Sequence, residues 1–367
     1  ILDTFQSAAR ACLLVKSLWE SGRWPVVVVS ALKGMTDAIL EALRGRRLPP
    51  DVLDSVLSVG ELATARFVAR ALRSMGLPAV PIDPSSPLWP VITDSNHGDA
   101  DPILEECSRV ISERWGELVG RKVPVVCGFV GRTRDGALTT LGRGGSDTTA
   151  VVLARCLGIR EVLLVKDVGG LYSADPRRVR NPRLVESLDA DLTMLLSMGG
   201  ARVLQPKALR YLEGDMEVRL VGLEPAAPSS RILGGVPRVR VAVEGGISMY
   251  TVVVQDGVGD AVAEILRVLA GLDATLVSMS TLGRAVILYV RGSVLQPLHD
   301  ALVAKGLATA ISEVGDVSMI LVWGRDLERR PGVVSELSAP LAREGINLLG
   351  VQTVHSRVAL FVRSEHA

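Results

Sequence analysis

At 367 residues the chain exceeds one ordinary hydrophobic core and fits two or three domains. Lys and Arg number 41 against 40 Asp and Glu, a formal net charge of +1, so nothing favours nucleic acid or an anionic membrane surface, and a small-molecule substrate is expected. No apolar run approaches the ~18 residues of a membrane span, and no basic segment precedes an apolar signal core, so no membrane partner and a cytoplasmic location are expected.

The opening stretch, ILDTFQSAARACLLVKSLWESG (1–22), reads as a helix. Short β-branched runs then alternate with helical patterns up to about Leu233. PVVVVSAL (Pro25–Leu32), PAVPID (Pro78–Asp83), VPVVCGFVG (Val123–Gly131) and EVLLVKDV (Glu161–Val168) read as buried strands. VLSVGELATARFVARALRSMG (Val56–Gly76) and SDTTAVVLARCLG (Ser146–Gly158) read as helices. Apolar strands separated by helices imply an α/β domain with a mainly parallel sheet sandwiched by helices, and ligands at loops beyond the strand carboxyl ends.

One such loop is TTLGRGGSDTTA (Thr139–Ala150). Gly144 and Gly145 precede the helix that begins near Ser146, so their backbone amides can converge on an anion without Cβ interference, a phosphate cradle in outline. Arg143 adds a planar charged fork for a carboxylate or phosphate, and Asp147 places a carboxylate in the first helical turn. By spacing alone Ser146 and Asp147 read equally well as helix caps.

APSSRILGGVPR (Ala227–Arg238) reads as a linker. Beyond it, Met249–Val290 and Ser318–Val362 are two versions of one theme: strand, glycine loop, amphipathic helix, turn, strand, turn, strand. Gly259 is paired with Gly332, and Asp273 with Asn347. The cysteines Cys12, Cys107, Cys127 and Cys156 lack CxxC spacing, and His97, His299, His355 and His366 form no ligand pattern. The thiols are expected to be buried and reduced, the histidines to sit on loops or the surface, and no protein-held metal is expected.

The two repeats resemble ACT domains, small α+β (ferredoxin-like) modules, through RPGVVSEL and EGINLLGVQT of the second copy. The resemblance implies amino-acid effector binding at the strand-to-helix loops, here Asp256, Gly259, Gly332 and Asn347, and assembly into at least a homodimer through Arg238–Ala367. The first copy, DGVGDAVAEI, lacks the proline.

VVVVSALKGMTD, SVGELATA, GFVG, TTLGRGGSDTTA, KDVGGLYSADPR and MGGARVLQP follow the order and spacing of aspartate kinases in the amino acid kinase superfamily. With the ACT pair, the resemblance covers essentially the whole chain. It implies a kinase domain over 1–236, ACT domains over 237–306 and 307–367, and phosphorylation of the β-carboxylate of L-aspartate by ATP with nucleotide-bound Mg²⁺. The product would be 4-phospho-L-aspartate, at the head of lysine, threonine and methionine biosynthesis, with feedback through the ACT pair.

By the same resemblance Arg143 clamps a substrate carboxylate, Thr36, Glu61 and Ser146 supply further substrate contacts, Glu61 suiting the ammonium, and Phe129 walls the pocket. Ser30 and Gly34 lie near the phosphates with Gly144 and Gly145. Asp167, Tyr172, Asp175 and Arg177 hold the nucleotide, and Asp147 is the catalytic acidic residue. Each keeps a structural rival: Ser30 and Thr36 as caps of the helix after SALKG, Glu61 as a solvated helix residue, Tyr172 as core.

Three departures stand out. The family opens on a strand with a Lys-Phe-Gly-Gly-Thr motif absent here, and Lys16 lies inside a helical pattern. Lys166 stands where the family has threonine or serine, beside the expected nucleotide phosphates. Arg202 replaces a nucleotide-side lysine, and Gln205 a histidine. Either that strand lies ahead of Ile1, or its cation is lost and a non-catalytic regulatory or amino-acid-sensing subunit is the alternative to an enzyme. Another amino acid kinase, for glutamate, N-acetylglutamate or UMP, is disfavoured by the ACT pair.

Overall fold

The β-branched runs become strands, and the chain divides into two units, Ile1–Pro237 and Arg238–Ala367. The computed structural model describes residues 5–166, 169–198, 203–224, 227–235, 239–255, 257–272, 274–324, 327 and 330–367.

The strands of the first unit are β1 (Val27–Val29), β2 (Ala79–Ile82), β3 (Val123–Cys127), β4 (Val130–Arg132), β5 (Leu138–Thr140), β6 (Glu161–Val165), β7 (Leu171–Tyr172), β8 (Leu184–Val185), β9 (Ser187–Asp189), β10 (Glu217–Val221) and β11 (Ser230–Leu233). Its helices are α1 (Phe5–Glu20), α2 (Met35–Ala42), α3 (Pro50–Leu57), α4 (Val59–Ser74), α5 (Leu104–Arg114), α6 (Gly145–Leu157), α7 (Ala190–Met198) and α8 (Pro206–Leu209). β1, β3 and β2 pair in parallel in that order. Every residue of β3 is buried, as a central strand covered on both faces requires.

A second sheet runs β6-β10-β11-β9, with β6 and β10 parallel and β11 antiparallel to β10. β11 comes from the stretch read as linker. Ser230 and Ile232 point inward while Arg231 and Leu233 point out, an alternation short enough to be lost among Pro, Ser and Gly. The run Val123–Gly131 also differs from its reading as one strand. It breaks at Gly128 and Phe129, where Phe129 takes φ 67°, and resumes as β4.

Between β1 and β6 lies an apolar slot of about 430 Å³, walled by α1 at Cys12 and Val15 and by α6 at Ala150 and Leu153. Among the described residues β1 pairs only with β3 and β6 only with β10, so each turns an unpaired edge into the slot. Its lining includes Arg23 and Glu161, joined by a 2.9 Å ion pair, Ser30 just past the carboxyl end of β1, and Ser146 in the first turn of α6.

The second unit holds β12 (Arg240–Val254), α9 (Val258–Ala270), β13 (Thr275–Leu282), β14 (Ala285–Arg291), α10 (Leu295–Leu302), β15 (Ala308–Trp323), α11 (Val333–Arg343), β16 (Gly350–Val354) and β17 (Arg357–Arg363). They build one antiparallel sheet, β13-β14-β12-β15-β17-β16. The first repeat buries Tyr250, Val252, Ile265 and Leu288 between sheet and helices. The two long strands are shared. β12 pairs through Ile247–Val254 with the start of β15, then through Arg240–Glu244 with Met319–Trp323, with register shifts between. The repeats expected at 237–306 and 307–367 therefore interlock, each lending a strand segment to the other. Tyr289 of β14 stacks on Phe361 of β17 with centroids 3.6 Å apart, and Gly350 leaves room for the Tyr289 hydroxyl.

Candidate functional site

The glycine turn forms as its residue types demand. Gly142 and Gly144 both take φ 72°, and Gly144 is the N-cap of α6. A Cβ on Gly144 would overlap the Gln205 side chain, and one on Gly145 would lie 2.8 Å from the Phe129 ring. A Cβ on Gly128 would come 2.7 Å from Ser146 Cβ, so the end of β3 can touch α6 only through glycine. No side chain caps α6; the Gly145 N–H is taken by the Gly142 carbonyl at 3.0 Å, so an anion would meet the later amides of the first turn. Ser146 and Asp147 are thus not caps. Ser30 Oγ donates to Ser146 Oγ at 2.8 Å, and Lys166 Nζ donates to both Asp147 oxygens at 2.9 and 2.8 Å. Ser30 and Thr36 do not cap the helix after SALKG either, because its N-cap is Gly34, at φ 84°.

These groups line one pocket of about 410 Å³ with Thr36, Glu61, Phe129, Arg143 and Gln205. Glu61 sits in the first turn of α4, which approaches the loop after β1 through Gly60, where a Cβ would lie 2.6 Å from Ala31 Cβ. Glu61 is only 4% exposed, and among the described residues its Oε2 has no hydrogen-bond partner. Burial pushes its carboxyl above the usual range, opposed in part by the Ala31 backbone N–H. The solvated-helix reading of Glu61 is therefore excluded. Arg143 is exposed and makes no ion pair or hydrogen bond among the described residues. The pocket thus brings a desolvated carboxylate, a free guanidinium and a bare-backbone helix start together.

The model of the amino acid kinase family matches residues 1–222. The chain belongs to the amino acid kinase family, among the aspartokinases. The aspartokinase of Corynebacterium glutamicum is 30% identical over 94% of this chain and 86% of its own length. Aspartokinase 2 of Bacillus subtilis is 29% identical over 98% of this chain and 90% of its own. Among solved structures, Escherichia coli aspartokinase III in complex with aspartate and ADP matches 99% of this chain and 94% of that one, with a TM-score of 0.60 at 20% identity. Aspartate kinase from Synechocystis matches 100% of this chain and 66% of that one, with a TM-score of 0.68 at 22% identity. These two likenesses establish the aspartokinase fold.

Within that fold the pocket rests on supports that sequence reasoning missed. Asp54, 1% exposed, accepts from Thr140 Oγ1 at 2.6 Å and Gly98 N at 3.1 Å, and pairs with His97 Nδ1 at 2.9 Å. Lys207, also buried, donates to the Leu141 and Ala100 carbonyls at 3.2 and 3.1 Å and to Asp99 Oδ1 at 2.5 Å. Together they pin the β5 end of the turn that leads into α6. Gln205, treated as a simple replacement, is the side chain that packs over Gly144. Only its place beside Pro206, where α8 begins, hinted at this.

Other expected positions lie outside the pocket lining. Tyr172 is in β7, half-buried, and Asp175 and Arg177 are exposed in the turn after it, the Arg177 N–H donating to Asp175 Oδ1 at 2.9 Å. Asp167, Arg202 and Asp256 fall outside the described residues, as does Asp273. In the second unit the pairing of Gly259 with Gly332 is corrected. Gly332 is the N-cap of α11 at φ 82°, and the residue in that role before α9 is Gly257 at φ 68°, whereas Gly259 is already helical. A left-handed cap needs glycine, and the shift of two residues follows from matching a helix glycine to a cap glycine. Asn347 is exposed after α11. Among the described residues no three His, Cys, Asp or Glu side chains cluster to hold a metal, and no helix is long and apolar enough to cross a membrane.

Proposed function

We propose that this chain transfers the γ-phosphoryl group of ATP to the β-carboxylate of L-aspartate. The observation that carries the reading is the buried Glu61 Oε2 in the same pocket as Arg143, both without a partner among the described residues, and the Gly144–Gly145 turn. An acid with an α-ammonium and two carboxylates matches it. Glu61 takes the ammonium, Arg143 forks onto a carboxylate, and Thr36 and Ser146 offer hydroxyls. The amides of the first turn of α6 beyond Gly145 donate to the phosphate tail, and the lack of a Cβ at Gly144 and Gly145 lets Gln205 and Phe129 pack against the turn.

The nucleophile is a carboxylate and carries no proton at neutral pH, so the protein has no base catalysis to perform. Its work is alignment and charge stabilisation. Holding both reactants in line removes about 7–11 kcal/mol of barrier. Mg²⁺ brought in on the nucleotide would neutralise phosphate charge. The apolar slot whose lining includes Ser30 and Ser146 fits a further parallel strand that would join the two sheets, the position suited to the family's opening strand. We further propose that the unit Arg238–Ala367 takes an amino-acid effector and mediates a dimer, and that the protein is cytoplasmic and serves aspartate-family biosynthesis.

An ATP-dependent hydroxamate assay with aspartate, glutamate and N-acetylglutamate tests the reading, repeated with lysine and threonine added. Aspartate alone is expected to give hydroxamate and stoichiometric ADP. A folded, cooperatively melting protein that yields none with aspartate overturns it.

A further inference from the structure

We propose that Lys166 is a catalytic residue, its ammonium gripping the phosphoryl group in transfer while Asp147 positions it. This deepens the functional reading above and rests on it. Lys166 leaves the carboxyl end of β6 with its backbone fixed, its N–H donating to the Val221 carbonyl at 2.8 Å. Its side chain crosses to the first turn of α6, where Nζ meets both Asp147 oxygens. An ammonium has three N–H donors. Asp147 engages two of them, Nζ makes no other hydrogen bond among the described residues, and both side chains line the pocket with Gly144, Gly145 and Ser146, which leaves one donor for a ligand there.

The chemistry assigns each partner its part. Arg143, the other cation lining the pocket, is matched to a substrate carboxylate by its planar fork, whereas a compact ammonium suits the tetrahedral oxygens of a phosphoryl group. In the transfer, a β-carboxylate oxygen of aspartate forms a bond to the γ-phosphorus, the bond from phosphorus to the β,γ-bridging oxygen breaks, and that electron pair leaves on ADP. No proton moves. Asp147 therefore has no proton to accept, and what it does is hold a cation: its side chain is 17% exposed and that of Lys166 is 34%. Where the aspartokinase motif carries a hydroxyl, this chain has placed a charge beside the cradle.

Lys166→Met, Lys166→Arg and Lys166→Ala test this in the full chain by ATP and ADP titration and by turnover. Lys166→Met is expected to lower kcat about 10²–10³-fold, the loss that follows removal of one electrostatic contact to a transition state. ADP affinity and KM for aspartate should stay within about threefold, and the preference for ATP over ADP should fall about tenfold. Lys166→Arg should retain part of kcat, and methylammonium should restore part of it to Lys166→Ala, which a packing role would not allow. The proposal is overturned if Lys166→Met keeps kcat and the ATP preference, or if both nucleotides and the melting temperature suffer alike. If the wild type binds nucleotides without turning over aspartate, the functional reading fails, and the ATP-to-ADP ratio still decides the role of Lys166.

Discussion

Replacing Glu61 with glutamine separates what the buried carboxylate does for stability from what it does for binding. Among the described residues Oε2 is desolvated without a partner, a condition that costs about 1–3 kcal/mol for a polar group and more for a charge. Glu61→Gln removes the charge at nearly equal volume, so the variant should be more stable at neutral pH by about 1 kcal/mol, raising the melting temperature of the first unit by about 2–4 °C. The same change removes a charge-assisted contact to the substrate ammonium, worth about 1.5–3 kcal/mol, so KM for aspartate should rise about 10- to 150-fold with kcat less affected. The pH dependence has a fixed sign. Burial raises the carboxyl's pKa in the folded state, so the stability linked to its protonated form is present below the unfolded value and is lost as pH rises through the folded value. Aspartate binding needs the ionised form and strengthens over that same rise. Calorimetry and initial rates from pH 4.5 to 8 on both proteins provide the assay. An unchanged KM, or a pH dependence of KM that survives in Glu61→Gln, refutes the assignment.

Gly144→Ala should reduce kcat/KM at least about 100-fold in a protein that still folds, because a Cβ there enters the Gln205 side chain and the backbone is held at φ 72°; circular dichroism with the hydroxamate assay checks it. Asp54→Ala, which strands Thr140, His97 and Gly98 together, should cost about 3 kcal/mol in denaturant unfolding. Burial lifts the Cys107 thiol to about 12 and the Cys127 thiol higher still. Neither should react with a thiol reagent at pH 8 until the protein is unfolded, and rapid native labelling of either would contradict the packing of β3 and α5.

The legible parts of this chain were those written locally. Runs such as Val26–Val29 and Val123–Cys127 announce buried strands because an apolar β-branched run has few other stable fates. Gly144 and Gly145 before an amphipathic helix announce an anion site because backbone geometry is set within a few residues. β11 was missed for the converse reason: four residues among turn formers acquire strand character only when β10 and β9 lie on either side.

The amino-acid sequence by itself thus determined the change of pattern after about Leu233, the family motifs and the residues of the glycine turn. The tertiary structure decided how their charges are spent. Only folding strips Glu61 of a partner, directs Lys166 onto Asp147, and brings Lys207 to Asp99 across 108 positions of chain. Desolvation and ion pairing depend on which groups share a volume, and that is settled by sheet order and helix packing rather than by spacing along the chain.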